Sequence, residues 1–435
     1  MKRCALQYLM DWKKKKNRKP LLIHGARQVG KTWLMKRFGE TCYGNTVYFN
    51  FEKNKRIREL FENYLDPNQL LLGLEVESKG KIHPQDTLII FDEIQACPQA
   101  ITSLKYFYED KPEYSIVAAG SLLGVALHQG VSYPVGKVDS MTLYPLTFWE
   151  YLHAMGEERL CSLIQDRQYD LMKVFKDKLT EALKQYFFIG GMPEVVYHFV
   201  QNKDFQEVRR LQKQILSDYR YDFSKHVPVN VLPKLVLVWD SIPRQLSKEN
   251  KKFIYNQLME KGRAKDFEDA IAWLKNSGLI YKIGRASKPS LPLRSYVDMS
   301  IFKLFFVDVG LLSAMSALDA RVLLEGDTLF TEFKGALTEQ YVCQELQTIA
   351  GIEMSYWGND TGNAEVDFLV QCNSFIVPVE VKAAMNLKAK SLKIYIDKFN
   401  PSFAIRTSLA DYNQTANLYD VPLFMVKNIA QICKN

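Results

Sequence analysis

Gly25-Ala26-Arg27-Gln28-Val29-Gly30-Lys31-Thr32 is the stretch whose residue types and spacing could most directly do chemistry. It fits the pattern GxxxxGK[ST] in full. Glycines let the backbone curl so that its N–H groups face a chain of phosphates. Lys31 can reach the β- and γ-phosphates, and Thr32 can offer its hydroxyl to Mg2+. Leu21-Leu22-Ile23 reads as a strand entering the loop, and Trp33-Leu34-Met35 begins a helix leaving it. The positive end of that helix adds to phosphate binding. Residues 25–32 are therefore the candidate ATP-binding residues, with Lys31 also a candidate catalytic group.

Leu88-Ile89-Ile90-Phe91-Asp92-Glu93 supplies the partner, an apolar strand ending in two acids. Asp92, with Thr32, is the candidate Mg2+ residue, acting through the metal's water shell. Glu93 is the candidate catalytic base, orienting or deprotonating the attacking water. Acids also cap strand ends for purely structural reasons, but downstream of such a loop the functional reading outweighs that one. Ser121 ends the next strand, where it is either a sensor of the γ-phosphate or part of a tight turn. Arg27, Lys137 and Arg220 are candidates, by charge alone, for the cation that stabilises transition-state charge.

A second constellation lies near the C-terminus: Glu339 on a helix, Asp367 on a strand, and Glu380-Val381-Lys382 on the next strand. Period-two geometry puts Glu380 and Lys382 on one face. The turn Cys372-Asn373-Ser374 folds Asp367 back beside them. Two carboxylates there could hold a second divalent metal, with Glu339 completing the shell and Lys382 activating water. The competing readings are a salt-bridged strand face and a fold used only for binding.

The elements that must position these groups follow from periodicity. Val47-Tyr48-Phe49 and Ile116-Val117-Ala118 join the two apolar runs above as short strands buried on both faces, as in a parallel α/β sheet. Residues 148–221 turn helical, broken by Gly190-Gly191-Met192-Pro193. Helices at Ile242–Leu246, Lys252–Met259 and Ala264–Ser277, then strands at 279–283 and 295–297, outline a winged helix. Gly278 stands as its helix-ending C′ glycine. Ala264–Asn276 would enter a major groove, with 284–292 as the wing and Arg285, Lys288 and Arg294 on phosphates; a protein-contact spacer is the alternative. The C-terminal part mixes helices at 335–349 and 388–399 with strands at 365–371, 375–382, 403–406 and 423–426.

The 435 residues are 47% hydrophobic and 24% charged, an ordinary globular balance. The net charge of +8 permits a nucleic-acid partner without requiring one. The basic run Lys13–Lys19 reads first as a solvated helix end. Seven scattered cysteines without CxxC spacing argue against a disulfide framework or zinc site. No signal-peptide stretch and no 18-residue apolar run is present, so the expected location is the cytoplasm, without a membrane partner. Tyr8 and Trp12 could stack on a base or simply pack.

GARQVGKT, the FDEIQ strand end, AAGS, LYPLTFWEYL and the Phe188–Pro193 turn together resemble the bacterial and archaeal AAA-type ATPase family, over essentially the whole chain. The family commonly has an arginine where this chain has Gly136-Lys137. The C-terminal order of helix Glu, strand Asp, then ExK resembles the restriction-endonuclease-like (PD-(D/E)xK) fold. The resemblance implies an α/β architecture: a P-loop core at 1–150, a helical lid at 151–230, a winged helix at 231–305 and a nuclease-like domain at 306–435. It implies an ATPase using ATP and Mg2+ whose cycle controls a DNA-binding or nuclease-like half. The alternative is a slowly hydrolysing switch or scaffold that acts through a protein partner or a second copy of itself.

Overall fold

The computed structural model describes residues 1–126, 134–248, 251–322, 331–359, 362, 364–383 and 389–432. They form two compact units, one of residues 2–145 with 276–279, the other of 146–275 with 280–435.

The first unit is built on five strands: β1 (Leu21–His24), β2 (Asn45–Asn50), β3 (Thr87–Asp92), β4 (Ser115–Ala119) and β5 (Asp139–Thr142). Their order is β2-β3-β4-β1-β5, and every pairing is parallel. All positions of β3 and β4 are buried, which is why they read as unbroken apolar runs. Edge strand β5 is polar and half-exposed, so its sequence carries no comparable signal. Helices Lys31–Cys42, Lys55–Asn63, Pro67–Ser78 and Pro98–Asp110 connect the strands. Asn54 and Asp66 start the middle two by accepting from the N–H groups of Ile57 and Asn68. Phe51, Phe61 and Phe91 meet edge-to-face with centroids 5.2–5.5 Å apart, fixing these helices on the sheet.

The second unit combines a helical array with an eight-stranded sheet. The array runs through Phe148–Ala154, Lys176–Ile189, Pro193–Asn202 and Phe205–His226 to Leu232–Leu246. Gly190-Gly191 turns the chain between two of these helices. Gly190 has a φ of 76°, and a Cβ there would overlap the Asp308 carboxylate; a Cβ on Gly191 would overlap the Leu146 carbonyl. Asp308 in turn accepts from Gly191 N at 2.6 Å, so the glycine pair lets a buried carboxylate dock on bare backbone. Glu345 accepts from Phe148 N at 2.8 Å and so satisfies the start of another helix.

The sheet comprises β6 (Ile280–Ala286), β7 (Val297–Phe306), β8 (Glu353–Gly358), β9 (Glu365–Cys372), β10 (Phe375–Val381), β11 (Ala404–Ser408), β12 (Asn413–Thr415) and β13 (Leu418–Pro422). Its order is β12-β13-β11-β10-β9-β8-β6-β7. Helix Thr331–Gln347 precedes the antiparallel run β8-β9-β10, and helix Lys390–Phe399 leads on to β11, parallel to β10.

Three local expectations differ from the structure. The helix expected at 242–246 is the end of the longer Leu232–Leu246, whose Leu235, Val238, Trp239, Ile242 and Leu246 form one buried stripe running through Pro243. The helix expected at 252–259 is a single 3-10 turn at Tyr255–Gln257. Leu423–Val426 is also 3-10, because a continuous buried apolar run does not by itself distinguish strand from helix. The hairpin β6-β7 is not a free wing either: Arg285 and Ala286 pair in parallel with Tyr356 and Trp357 of β8, so segments 231–305 and 306–435 share one sheet. Lys388 and Cys433 lie outside the described residues. None of the six described cysteines is in a disulfide. Among the described residues, no helix is long and apolar enough to cross a membrane.

Candidate nucleotide site and the C-terminal carboxylate cluster

The loop between β1 and helix Lys31–Cys42 has the backbone that its glycines foretell. Gly25 has φ 138° and Gly30 φ 93°, and Gln28 between them also adopts a positive φ of 65°. A Cβ on Gly25 would overlap the Leu143 carbonyl. Lys31 folds back into the loop, donating to the carbonyls of Gly25 and Ala26, both at 2.8 Å. Burial pulls its ammonium down to about 8, against the opposing charges of Glu93 and Asp92, while Arg27 adds to the lowering. An ammonium this dry, hydrogen-bonded to carbonyls and not fully offset by the two acids, is poised for an anionic partner. Thr32 Oγ1 donates to Asp92 Oδ2 at 2.8 Å. The hydroxyl and carboxylate that would flank Mg2+ are thus already adjacent, and these hard oxygens fit that ion.

The acidic pair sits at the end of β3, with β4 between it and β1. Tyr48 of β2 donates to the same Asp92 oxygen at 2.7 Å, and Asn50 donates to the Tyr48 hydroxyl at 3.3 Å. Burial first, then the Asp92 contact, pushes the Tyr48 phenol up to about 12, so it stays a donor. Glu93 has φ 50° and leaves the strand in a left-handed turn. Its carboxylate accepts from Gln95 Nε2 at 2.7 Å and from Ser121 Oγ at 3.3 Å. Sequence reasoning missed Tyr48, Asn50 and Gln95. Only Gln95 left a trace, two residues beyond the acid in FDEIQ. Tyr48 is found through strand register, since Asn50 pairs with Asp92.

The structure also brings Glu339, Asp367, Glu380 and Lys382 together. Lys382 Nζ donates to Glu380 Oε1 at 2.8 Å, and Asp367 Oδ2 accepts from Val381 N at 2.8 Å. Two further lysines enter that the motif did not announce. Lys251 donates to Glu339 Oε1. Lys303, with a fully buried side chain, lies 2.5 Å from Glu365 Oε1 and 4.0 Å from Glu339 Oε2. Burial alone would lower Lys303; Glu365, Glu339 and Asp367 outweigh it and raise the ammonium. Burial would raise Glu339, but Lys251 and Lys303 hold it down. Burial, with Glu339 and Glu380 alongside, drives Asp367 far up. Among the described residues, no three His, Cys, Asp or Glu side chains are arranged to hold a metal ion. The second divalent metal expected here is therefore not supported: the carboxylates are turned onto lysines instead.

Comparison with known proteins bears on the first of these sites. Residues 17–152 match the family described as an AAA domain. This segment is an AAA-type P-loop ATPase domain. Residues 180–322 and 334–424 match two domains of unknown function, DUF8612 and DUF4143. No curated protein matches the chain. Among solved structures, the Walker-type ATPase Paby2304 of Pyrococcus abyssi is 15% identical, with 72% of this chain and 95% of that one covered and a TM-score of 0.47. AMPPCP-bound DnaA from Aquifex aeolicus is 13% identical, covering 63% and 86%, at 0.29. The Aeropyrum pernix ORC1 protein in complex with DNA is 12% identical, covering 72% and 90%, at 0.26.

Within the first unit, Trp12 is wholly buried against Phe38 and donates to Lys19 O, a packing role. Tyr8 is 40% exposed. The basic run is spent locally: Lys15 pairs with Asp139, and Lys19 bonds Gly136 O. Lys137 pairs with Glu109 at 2.9 Å. In the second unit Arg220 pairs with Asp240. Helix Ala264–Asn276 exposes Lys265 and Lys275 beside Glu268 and Asp269, a face of mixed sign. Lys288 and Arg294 are exposed, while Arg285 lies within β6.

Proposed function

We propose that this chain binds and hydrolyses ATP with Mg2+ in its AAA domain, and that the nucleotide cycle controls a DNA-handling, restriction-endonuclease-like C-terminal half. The observation that carries the first part is the curled loop with Lys31 inside it and Thr32 bonded to Asp92. The N–H groups of residues 25–32 and the end of helix Lys31–Cys42 hold phosphates, and Lys31 exchanges carbonyl partners for them. Thr32 and Asp92 hold the metal. Bound Mg2+ supplies neutralisation of phosphate charge. Glu93 takes a proton from water once it leaves Gln95 and Ser121, and Ser121 reports the γ-phosphate position. For the C-terminal half, support comes from its helix, three antiparallel strands, helix, parallel strand order. Net charge +8 and exposed Lys288 and Arg294 make duplex DNA the first partner to test.

A second reading, a slow nucleotide-gated switch facing a protein, is favoured by the Lys137–Glu109 and Arg220–Asp240 pairs. Both occupy cations that a fast site would aim at the phosphates. ATP turnover by the purified protein, with and without duplex DNA and with Lys31→Ala as the blank, decides. Stimulation by DNA supports the first reading. Turnover indifferent to DNA supports the switch. Turnover equal to that of the blank removes the ATPase assignment.

A further inference from the structure

The C-terminal cluster carries its own cations. Four carboxyls, Glu339, Glu365, Asp367 and Glu380, face three ammonium groups, Lys251, Lys303 and Lys382. Lys303 belongs to β7, between the buried Phe302 and Leu304, and its side chain has no exposure at all. A lysine is held in such a place only when carboxylates compensate it. Its Nζ also sits 4.8 Å from the centre of the Tyr356 ring, which further fixes it. Lys251 reaches Glu339 from a different segment, 88 residues away.

Metal ligation asks for the opposite arrangement. Mg2+ requires near-octahedral oxygen and accepts little distortion. Here Glu339 Oε1 is taken by Lys251, Glu380 Oε1 by Lys382, and Asp367 Oδ2 by the Val381 amide. Two carboxylate oxygens, Glu339 Oε2 and Glu380 Oε2, have no hydrogen-bond partner. They are the atoms a cation would seek, but Lys303 already stands 4.0 Å from the first. A divalent ion could enter only by displacing an ammonium or by leaving the cluster with excess positive charge.

We propose that the ammonium groups of Lys251 and Lys303 take the place of a divalent metal in this cluster, so that the C-terminal domain folds without one and does not cleave phosphodiesters through metal-activated water. This deepens the nuclease-like reading of the domain and rests on it; the nucleotide site is not involved. The domain's contribution is then binding, which its fold provides without chemistry.

The test is Mn2+ binding to the full-length, nucleotide-free protein, followed by electron paramagnetic resonance. The wild type is expected to hold no ion that Asp367→Asn removes. An ion retained in Asp367→Asn belongs elsewhere in the chain. Lys251→Ala is expected to gain one Mn2+ per chain, lost again in Lys251→Ala/Asp367→Asn. If Lys251→Ala does not fold, Lys251→Gln, which keeps a hydrogen-bond donor, replaces it. A wild-type ion that Asp367→Asn abolishes would overturn the proposal, as would a folded Lys251 variant that gains none. Plasmid nicking with Mg2+ that Lys382→Ala eliminates would overturn it too. ATP turnover measured on the same preparations reports separately on the AAA domain.

Discussion

The nucleotide loop and the C-terminal cluster both gather lysine and carboxylate, and they are built in opposite ways. In the loop, one lysine donates to two backbone carbonyls, and the chain's acids Glu93 and Asp92 attract it without fully offsetting its burial. In the cluster, three lysines are matched to carboxylates of the chain itself. A buried charge waiting for a partner marks a binding site; one already neutralised marks a structural network. The distinction is one of compensation, since both regions contain the residue types that a motif search would select.

The largest expected effect breaks the first half of that comparison. Lys31→Ala should lower ATP turnover by roughly 100-fold or more and weaken nucleotide binding, because the phosphates lose their buried cation. Glu93→Gln should slow hydrolysis by about 100-fold while keeping binding, since it removes only the proton acceptor. Nucleotide affinity from a fluorescent analogue, beside steady-state turnover, separates the two. Equal loss of binding in both would assign Glu93 to holding the ligand rather than to chemistry.

The second half is probed at Lys303. Lys303→Ala leaves Glu365 and Glu339 facing each other without their buried cation. It should destabilise the second unit by about 3–5 kcal/mol in denaturant unfolding. Lys31→Ala, without its ligand, should change stability far less. A Lys303→Ala protein as stable as wild type would mean that the carboxylates are neutral rather than ion-paired.

How much of this could be read in advance follows from the same contrast. The loop's function depends on backbone conformation over eight consecutive residues, so glycine spacing reports it directly. Strands β1, β3 and β4 were legible because burial on both faces leaves continuous apolar runs, whereas β2, expected to be buried on both faces, is an edge strand that buries only Val47 and Phe49. The ExK order was legible too, but its meaning was not. Lys251 and Lys303 come from segments with no motif: Lys303 arrives on β7, where β6 and β7 join β8, and Lys251 lies outside any strand, beside Phe253, whose N–H bonds the Phe302 carbonyl of β7. The pairing of β6 with β8 was not legible in the winged-helix outline either, since edge pairing leaves no mark on a hairpin's own residues. Asp308, too, is invisible as the reason for Gly190-Gly191, more than a hundred residues upstream.

Glu345 is an intermediate case, a buried acid that Lys427 attracts and that accepts from the Phe148 amide. Burial raises its carboxyl from 4.5 to about 7, although Lys427 and the Phe148 amide partly offset this. Between those values the folded chain binds more protons than the unfolded one, so stability falls as pH rises through the window. Glu345→Gln keeps the acceptor for Phe148 and removes the charge. It should be the more stable protein at pH 8, by up to ~3 kcal/mol, and match wild type below pH 4.5. Parallel unfolding curves across that range check it. A constant difference would mean that the two proteins differ in packing, not in protonation.

The smallest expected effect tests how finely the nucleotide site is pre-set. Tyr48 and Thr32 donate to the same Asp92 oxygen, at 2.7 and 2.8 Å. Tyr48→Phe keeps the ring, which also lies under Lys36 Nζ at 4.2 Å, and deletes only the hydroxyl. Asp92 then has one side-chain anchor fewer and should hold Mg2+ less well, by about 1 kcal/mol, or roughly five-fold in the Mg2+ needed for half-maximal ATP turnover. The maximal rate at saturating Mg2+ should change little, because Glu93 keeps its place. Lys382→Ala, which removes a charge from the other cluster, should leave that Mg2+ dependence untouched. If Tyr48→Phe does the same, the hydroxyl serves β2–β3 packing, and Asp92 is positioned by Thr32 and the strand end alone.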